Sequence, residues 1–142
     1  MGKIYYPHEG QFVLLDTLFD DQSFLDVYLC LYQNDYTPTV DSTVGNFTAC
    51  VYTGYASKQL NRGSWTLTQG SGDSRSYASY AQQVFTCSSN PSPTQYAYGY
   101  YIAIGAGLTW YILAAERFAT RQQISANTTI AITPKITLGD YT

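Results

Sequence analysis

Few side chains in this 142-residue sequence have the chemistry of a catalyst, and their spacing does not assemble one. His8 is the single imidazole. It follows Pro7 in the opening stretch MGKIYYPHEG, a poor mount for the rigidly held base of a Ser-His-Asp triad. The two glutamates, Glu9 and Glu116, could in principle act as the paired carboxylates of a glycosidase. Glu116, however, stands beside Arg117 in AAERFA, toward the end of a predicted strand, and reads as part of a charged pair at a strand rim. Asp20, Asp21, Asp35, Asp41 and Asp73 fall in turn-rich segments, where aspartate caps and turns the backbone. Asp35 and Asp41 do not supply the alternating oxygen ligands of a calcium loop.

Cys30, Cys50 and Cys87 are odd in number and widely spaced, and one histidine cannot complete a zinc site with them. They read as free, mostly buried thiols, with a disulfide between two of them and the third left free as the alternative. GxGxxG, P-loop and HExxH motifs are absent. No catalytic, cofactor-binding or metal-binding residue is therefore assigned, no cofactor is expected, and a non-enzyme is expected.

Composition points to contact between surfaces. Charged residues make up 12% of the chain, about half the usual ~25%, while tyrosine alone contributes fifteen residues. A surface poor in Lys and Glu and rich in Tyr is the composition of a protein interface. The seven Lys and Arg are scattered and the net charge is −3, so there is no basic footprint for nucleic acid and no polybasic membrane anchor. No run of ~18 apolar residues could span a bilayer as a helix, and the first residues lack the apolar stretch of a secretory signal. Synthesis in a cytoplasm is the expectation.

The elements that would position these residues follow a period of two. In FLDVYLCLYQN (24–34), Leu25, Val27, Leu29 and Leu31 share one parity and Asp26, Tyr28, Cys30 and Tyr32 the other. Successive side chains of a strand point to opposite faces, so the leucine set faces a core and a Tyr-Cys-Tyr row is left needing a cover. FVLLDTLF (12–19) predicts a strand before it, and Asp20 to Ser23 a turn. Phe47, Val51 and Tyr55 recur every four residues as in a helix, but Gly54 and the β-branched neighbours favour an irregular or extended chain. Strands are expected at 65–68, 77–88 and 96–104, the last with Tyr96, Tyr98, Tyr100, Ile102 and Ile104 on one face. Gly105, Ala106 and Gly107 supply a hairpin turn into 108–119, and a final strand carries Ile130, Ile132, Ile136 and Leu138 on one parity. The prediction is all-β: an antiparallel sandwich or jelly-roll-like fold of about 7–8 strands in one domain over 12–142, preceded by an extended N-terminal arm over 1–11.

Lys3, Pro7, His8 and Gly10 disfavour regular packing of that arm, whereas Ile4, Tyr5 and Tyr6 offer three anchors. These three, with Tyr28 and Tyr32, are the candidate subunit or lattice contacts. The arm is expected to bury its anchors on a neighbouring chain, so that deleting residues 1–9 leaves the melting temperature within a few degrees and weakens assembly.

The order of segments resembles a group of small virion structural proteins of tailed bacteriophages. The likeness rests on GQFVLLDTLF (10–19), LCLYQNDYTP (29–38), FTACVYTGYASKQL (47–60), Trp65, YGYYIAI (98–104), AERF (115–118) and IAITPKITL (130–138), and it spans nearly the whole chain. The resemblance implies a particle component in the virion, synthesised in the host cytoplasm. Its most direct form is a capsid decoration (cement) protein binding copies of itself and other virion proteins such as the major capsid protein. A tail- or fibre-associated protein, or a carbohydrate-binding host-recognition module that stacks tyrosines on sugar rings, is the alternative.

Overall fold

The structure is a computed structural model, and it describes residues 4–5, 7, 9–10, 26–69, 71–72 and 77–137, with Arg62 and Leu67 described by backbone alone. The expected strand at 12–19, the residues Tyr6 and His8, and Asp20, Asp21 and Asp73 lie outside the described residues. The described residues are all-β, with strands β1 (Ile4–Tyr5), β2 (Asp26–Tyr32), β3 (Lys58–Gln59), β4 (Thr66–Thr68), β5 (Tyr77–Ser79), β6 (Gln83–Thr86), β7 (Tyr96–Ala106), β8 (Thr109–Gln123), β9 (Thr129–Ile132) and β10 (Lys135–Thr137). They form three antiparallel sheets: a five-stranded sheet in the order β1-β8-β7-β2-β3, a three-stranded sheet β10-β5-β4, and the pair β6-β9.

The alternation in β2 is realised as read. Val27, Leu29 and Leu31 enter the main core with Ile102 and Ile104 of β7 and Leu113 and Ala114 of β8. That face packs on Leu60, Phe85, Ile124, Ile132 and Ile136 from the rest of the chain, including both smaller sheets. Leu29, Leu31, Leu60, Phe85 and Ile102 are almost wholly enclosed, each contributing roughly 1.5–3 kcal/mol relative to an exposed side chain. The stretch 47–60 is irregular, not helical. Phe47 is buried in a second cluster, Val51 is exposed and Tyr55 packs on the main core. Tyr55 also accepts the Leu31 amide at 3.1 Å.

Two expected single strands are each broken in two. Residues 77–88 divide into β5 and β6, and the last strand divides into β9 and β10. The breaks face each other, since β5 pairs β10 and β6 pairs β9. The two stretches thus make one long antiparallel ribbon with a corner at residues 80–82 and 133–134. Pro134 has no N–H for a ladder, and its carbonyl accepts the Tyr80 amide across the corner at 2.9 Å.

Along β7 the register with β8 slips between Ala97 and Gly99. The slip reverses which way the side chains point. Tyr98 packs with the second cluster, while Tyr100, Ile102 and Ile104 face the main core, so the tyrosine row does not share one face. A second irregularity, between Ile102 and Ala103, leaves Leu113 unopposed and places it beside Ala114 on the core side. The hairpin turn itself is Gly107-Leu108, starting two positions beyond the expected Gly105. Gly107 has φ 59° and Leu108 is not in the left-handed region, as a two-residue II′ turn requires.

The N-terminal residues dock on their own domain. Ile4 and Tyr5 pair with Glu116 and Ala115 at the edge of β8, and Ile4 packs against the main core. Pro7 is fully buried, and the Ile112 amide donates to the Glu9 carboxylate at 2.9 Å. Glu9 and Gly10 have helical backbone, and Gly10 lies so close to the Ile112 and Leu113 carbonyls that no larger residue fits. The expectation of an extended arm that anchors only on a neighbour is thereby corrected. An unpaired strand edge within the same chain is the nearest partner for its backbone.

Candidate functional site

The second face of the main sheet carries the row that needed a cover. Cys30, Tyr32, Phe47, Tyr101, Ala103, Ile112 and Ala115 form a separate buried cluster there. The loop at 33–47 folds over one end of it. Phe47 meets Tyr32 edge-on at 5.1 Å between ring centroids and Tyr36 at 5.2 Å, and lies tilted on Tyr101 at 4.9 Å. The loop is held by polar contacts within itself. The Asn34 side chain accepts from the Thr48 amide and donates to the Asn46 carbonyl, and buried Ser42 pairs its hydroxyl with Tyr36 at 2.7 Å.

The loop covers only part of the row, and its Val44 borders what is left open. A groove of about 380 Å³ remains there, lined by Tyr28, Cys30, Val44, Ser57, Tyr101, Ala103 and Trp110. None of these seven side chains carries a charge at neutral pH. Small Ala103 on β7 leaves space in the groove, and Gly105 lets Trp110 lie across it, where Trp110 meets Tyr28 edge-on at 5.6 Å and 70°. Beside it the hairpin tip presents Leu108 wholly to solvent. An exposed apolar tip next to an uncharged aromatic groove has the chemistry of a contact surface.

Of the candidate contacts, Tyr28 is half-buried on the groove wall. Tyr32 is completely enclosed and donates its hydroxyl to the Tyr36 carbonyl at 3.0 Å, so its ring offers nothing to a partner. Ile4 and Tyr5 are half-buried at the β8 edge, away from the groove lining. Trp110, Ala103 and Leu108 were not singled out from the sequence. The signal was present as a Tyr101-Ala103-Gly105 parity, large then small, opposite the isoleucines.

Burial governs the titratable groups around the two clusters. Cys30, Cys50 and Cys87 are buried and unbridged. Burial raises the Cys30 thiol, and it pushes Cys50 up to about 12 with a smaller contribution from the neighbouring Cys30 charge. Such thiols stay protonated and are weak nucleophiles. Burial likewise raises Tyr32, Tyr55 and Tyr101, and takes Tyr52 up to about 12. Arg117 forms its ion pair with Asp35 at 2.6 Å, while the neighbouring Glu116 carboxylate accepts the Tyr100 hydroxyl at 2.8 Å. Among the described residues no group of three or more His, Cys, Asp or Glu is placed to hold a metal ion.

The raised acids predict a base-labile fold. Unfolded cysteine and tyrosine lose protons from about pH 9 and 10 upward. Folded Cys50 and Tyr52 hold theirs to about 12. The stability that these groups contribute is therefore fully present below about pH 9 and is lost as pH rises through the window from there to about 12. Urea midpoints measured by circular dichroism from pH 8 to pH 11 should decline steadily above about pH 9. A flat profile would contradict the burial of these groups.

Compared with known proteins, the chain matches no family model, no curated protein and no solved structure.

Proposed function

We propose that this chain is a structural protein of a tailed-bacteriophage virion, without enzymatic activity. In the virion it acts as a capsid decoration protein that binds copies of itself and the capsid lattice. The observation that carries the reading is the uncharged groove of Tyr28, Tyr101 and Trp110 with the exposed Leu108 beside it. The low charge of the whole chain and the resemblance of its segments to small virion proteins support it. The packing of the five-stranded sheet on the two smaller sheets supports a sandwich-like knob, a shape suited to studding a lattice. Tyr28 and Trp110 meet at 70° and form no flat platform, which favours a protein partner over a sugar ring.

The test is mass measurement of the purified protein in solution, followed by sedimentation with empty capsids, for the natural chain and for Leu108→Asp and Trp110→Ala. Self-association and capsid binding are expected for the natural chain, with both weakened at least tenfold in each variant. A strictly monomeric protein that ignores phage particles would defeat the proposal, and binding to tails or to a glycan array would move it to the tail-associated or host-recognition reading.

A further inference from the structure

On the opposite side of the main sheet, β9 pairs with β6 along one edge only, and among the described residues nothing pairs with its other edge. That edge borders a cleft of about 470 Å³ whose far wall is the second half of β8. The cleft is lined by four consecutive residues of β9, Thr129 to Ile132, so the backbone edge itself faces the opening. On the β8 side the lining is Glu116, Phe118, Ala119, Thr120 and Gln122. In an antiparallel pair alternate residues direct their N–H and C=O away from the partner strand, so β9 presents unused ladder groups along about 13 Å.

Glu116 gives the cleft a charge. Its carboxylate accepts only the Tyr100 hydroxyl in the described structure and has capacity for further donors. The nearest arginines do not neutralise it. Arg117 and Arg121 are held instead by Asp35, Tyr96 and Tyr98. Phe118, Ile130 and Ile132 supply apolar contact along the remainder.

We propose that this cleft binds an extended peptide segment of a partner protein by strand addition to β9, with a lysine or arginine of that segment opposite Glu116 and apolar side chains at alternate positions against Phe118 and Ile130. Main-chain hydrogen bonds to a free edge provide the affinity, and the single carboxylate sets which segment fits and in which register. The surface is separate from the Tyr28–Trp110 groove, and the proposal holds whether or not the protein belongs to a virion.

The probes are two blocked hexapeptides, Lys-Thr-Val-Thr-Val-Thr and Thr-Val-Thr-Val-Thr-Lys, because β9 can take a strand in either direction. Each is titrated into isotope-labelled full-length protein while the backbone amides are followed by NMR. One of them is expected to give saturable shifts at Thr129 to Ile132 and to slow amide exchange there. Replacing its lysine by glutamate should weaken binding about tenfold, and N-methylation of alternate amides should abolish it. Glu116→Gln, which keeps an acceptor for Tyr100, should leave the fold intact and bring the lysine and glutamate peptides to equal affinity. Absence of saturable shifts at millimolar peptide, shifts mapping elsewhere, or an N-methylated peptide that binds as well as its parent would each overturn the proposal.

Discussion

Gly99→Ala is expected to destabilise the protein by about 3 kcal/mol or more, a large share of the ~5–15 kcal/mol that holds a domain folded. Gly99 sits between two neighbours at once, opposite Tyr32 on β2 and Arg117 on β8. A Cβ there would collide with the Glu116 carbonyl oxygen and would lie 2.6 Å from the Tyr32 hydroxyl oxygen and 2.7 Å from the ring carbon Cε1. A side chain can swing aside at modest cost, but a backbone carbonyl moves only if the strands part. The double variant with Tyr32→Phe should therefore recover little, since it relieves the hydroxyl and leaves the carbonyl. Gly45→Ala is the matched control, because the nearest group to its Cβ is the Thr43 hydroxyl oxygen at 3.8 Å. Urea midpoints should fall by roughly 1–2 M for Gly99→Ala and hold steady for Gly45→Ala. Equal midpoints for the two would show that β7 and β8 are not seated as described.

Removing residues 1–10 is the second large effect, and its direction reverses the expectation for a dispensable arm. The truncation strips fully buried Pro7, the core contact of Ile4 and the acceptor for the Ile112 amide, and it bares the edge of β8. Losses of this kind come to about 3 kcal/mol, equivalent to a fall in melting temperature on the order of 10 °C for a chain of this size. Calorimetry on the full and shortened chains reads it directly. The shortened protein should also aggregate more readily, because a bare strand edge recruits other edges. A melting temperature within two or three degrees of the full chain's would instead return the segment to the status of a loose tail.

The parts of the molecule that were legible beforehand are those a local pattern determines. In β2 alternate residues face alternate clusters because each face is buried by something, so parity alone separated Val27, Leu29 and Leu31 from Cys30 and Tyr32. The burial of three unbridged cysteines follows from their number and spacing in the same local way. What misled was any feature set by a distant partner. The reversal at Gly99 depends on Tyr32 and Glu116 arriving from either side, and nothing in the run YAYGYYIAIGA announces it except the glycine. The corner at Pro134 has a local cause, yet the matching break at residues 80–82 is imposed by pairing across about fifty positions of sequence. Tyr28 was picked out from its row as a candidate contact, whereas the groove that it lines needed Ala103 and Trp110, whose contribution is the space they leave or bound.

The seat of the N-terminal residues also sets an order of events during synthesis. Glu9 and the Ile112 amide that it accepts are 103 positions apart in the chain. At ribosomal rates of about 5–20 residues per second, the segment emerges roughly 5–20 s before the strand that receives it. Through that interval the β8 edge that Ile4 and Tyr5 join has not yet been made. Two copies made side by side could trade segments only while both remain unfinished, since a completed copy has already filled its β8 edge with its own first residues.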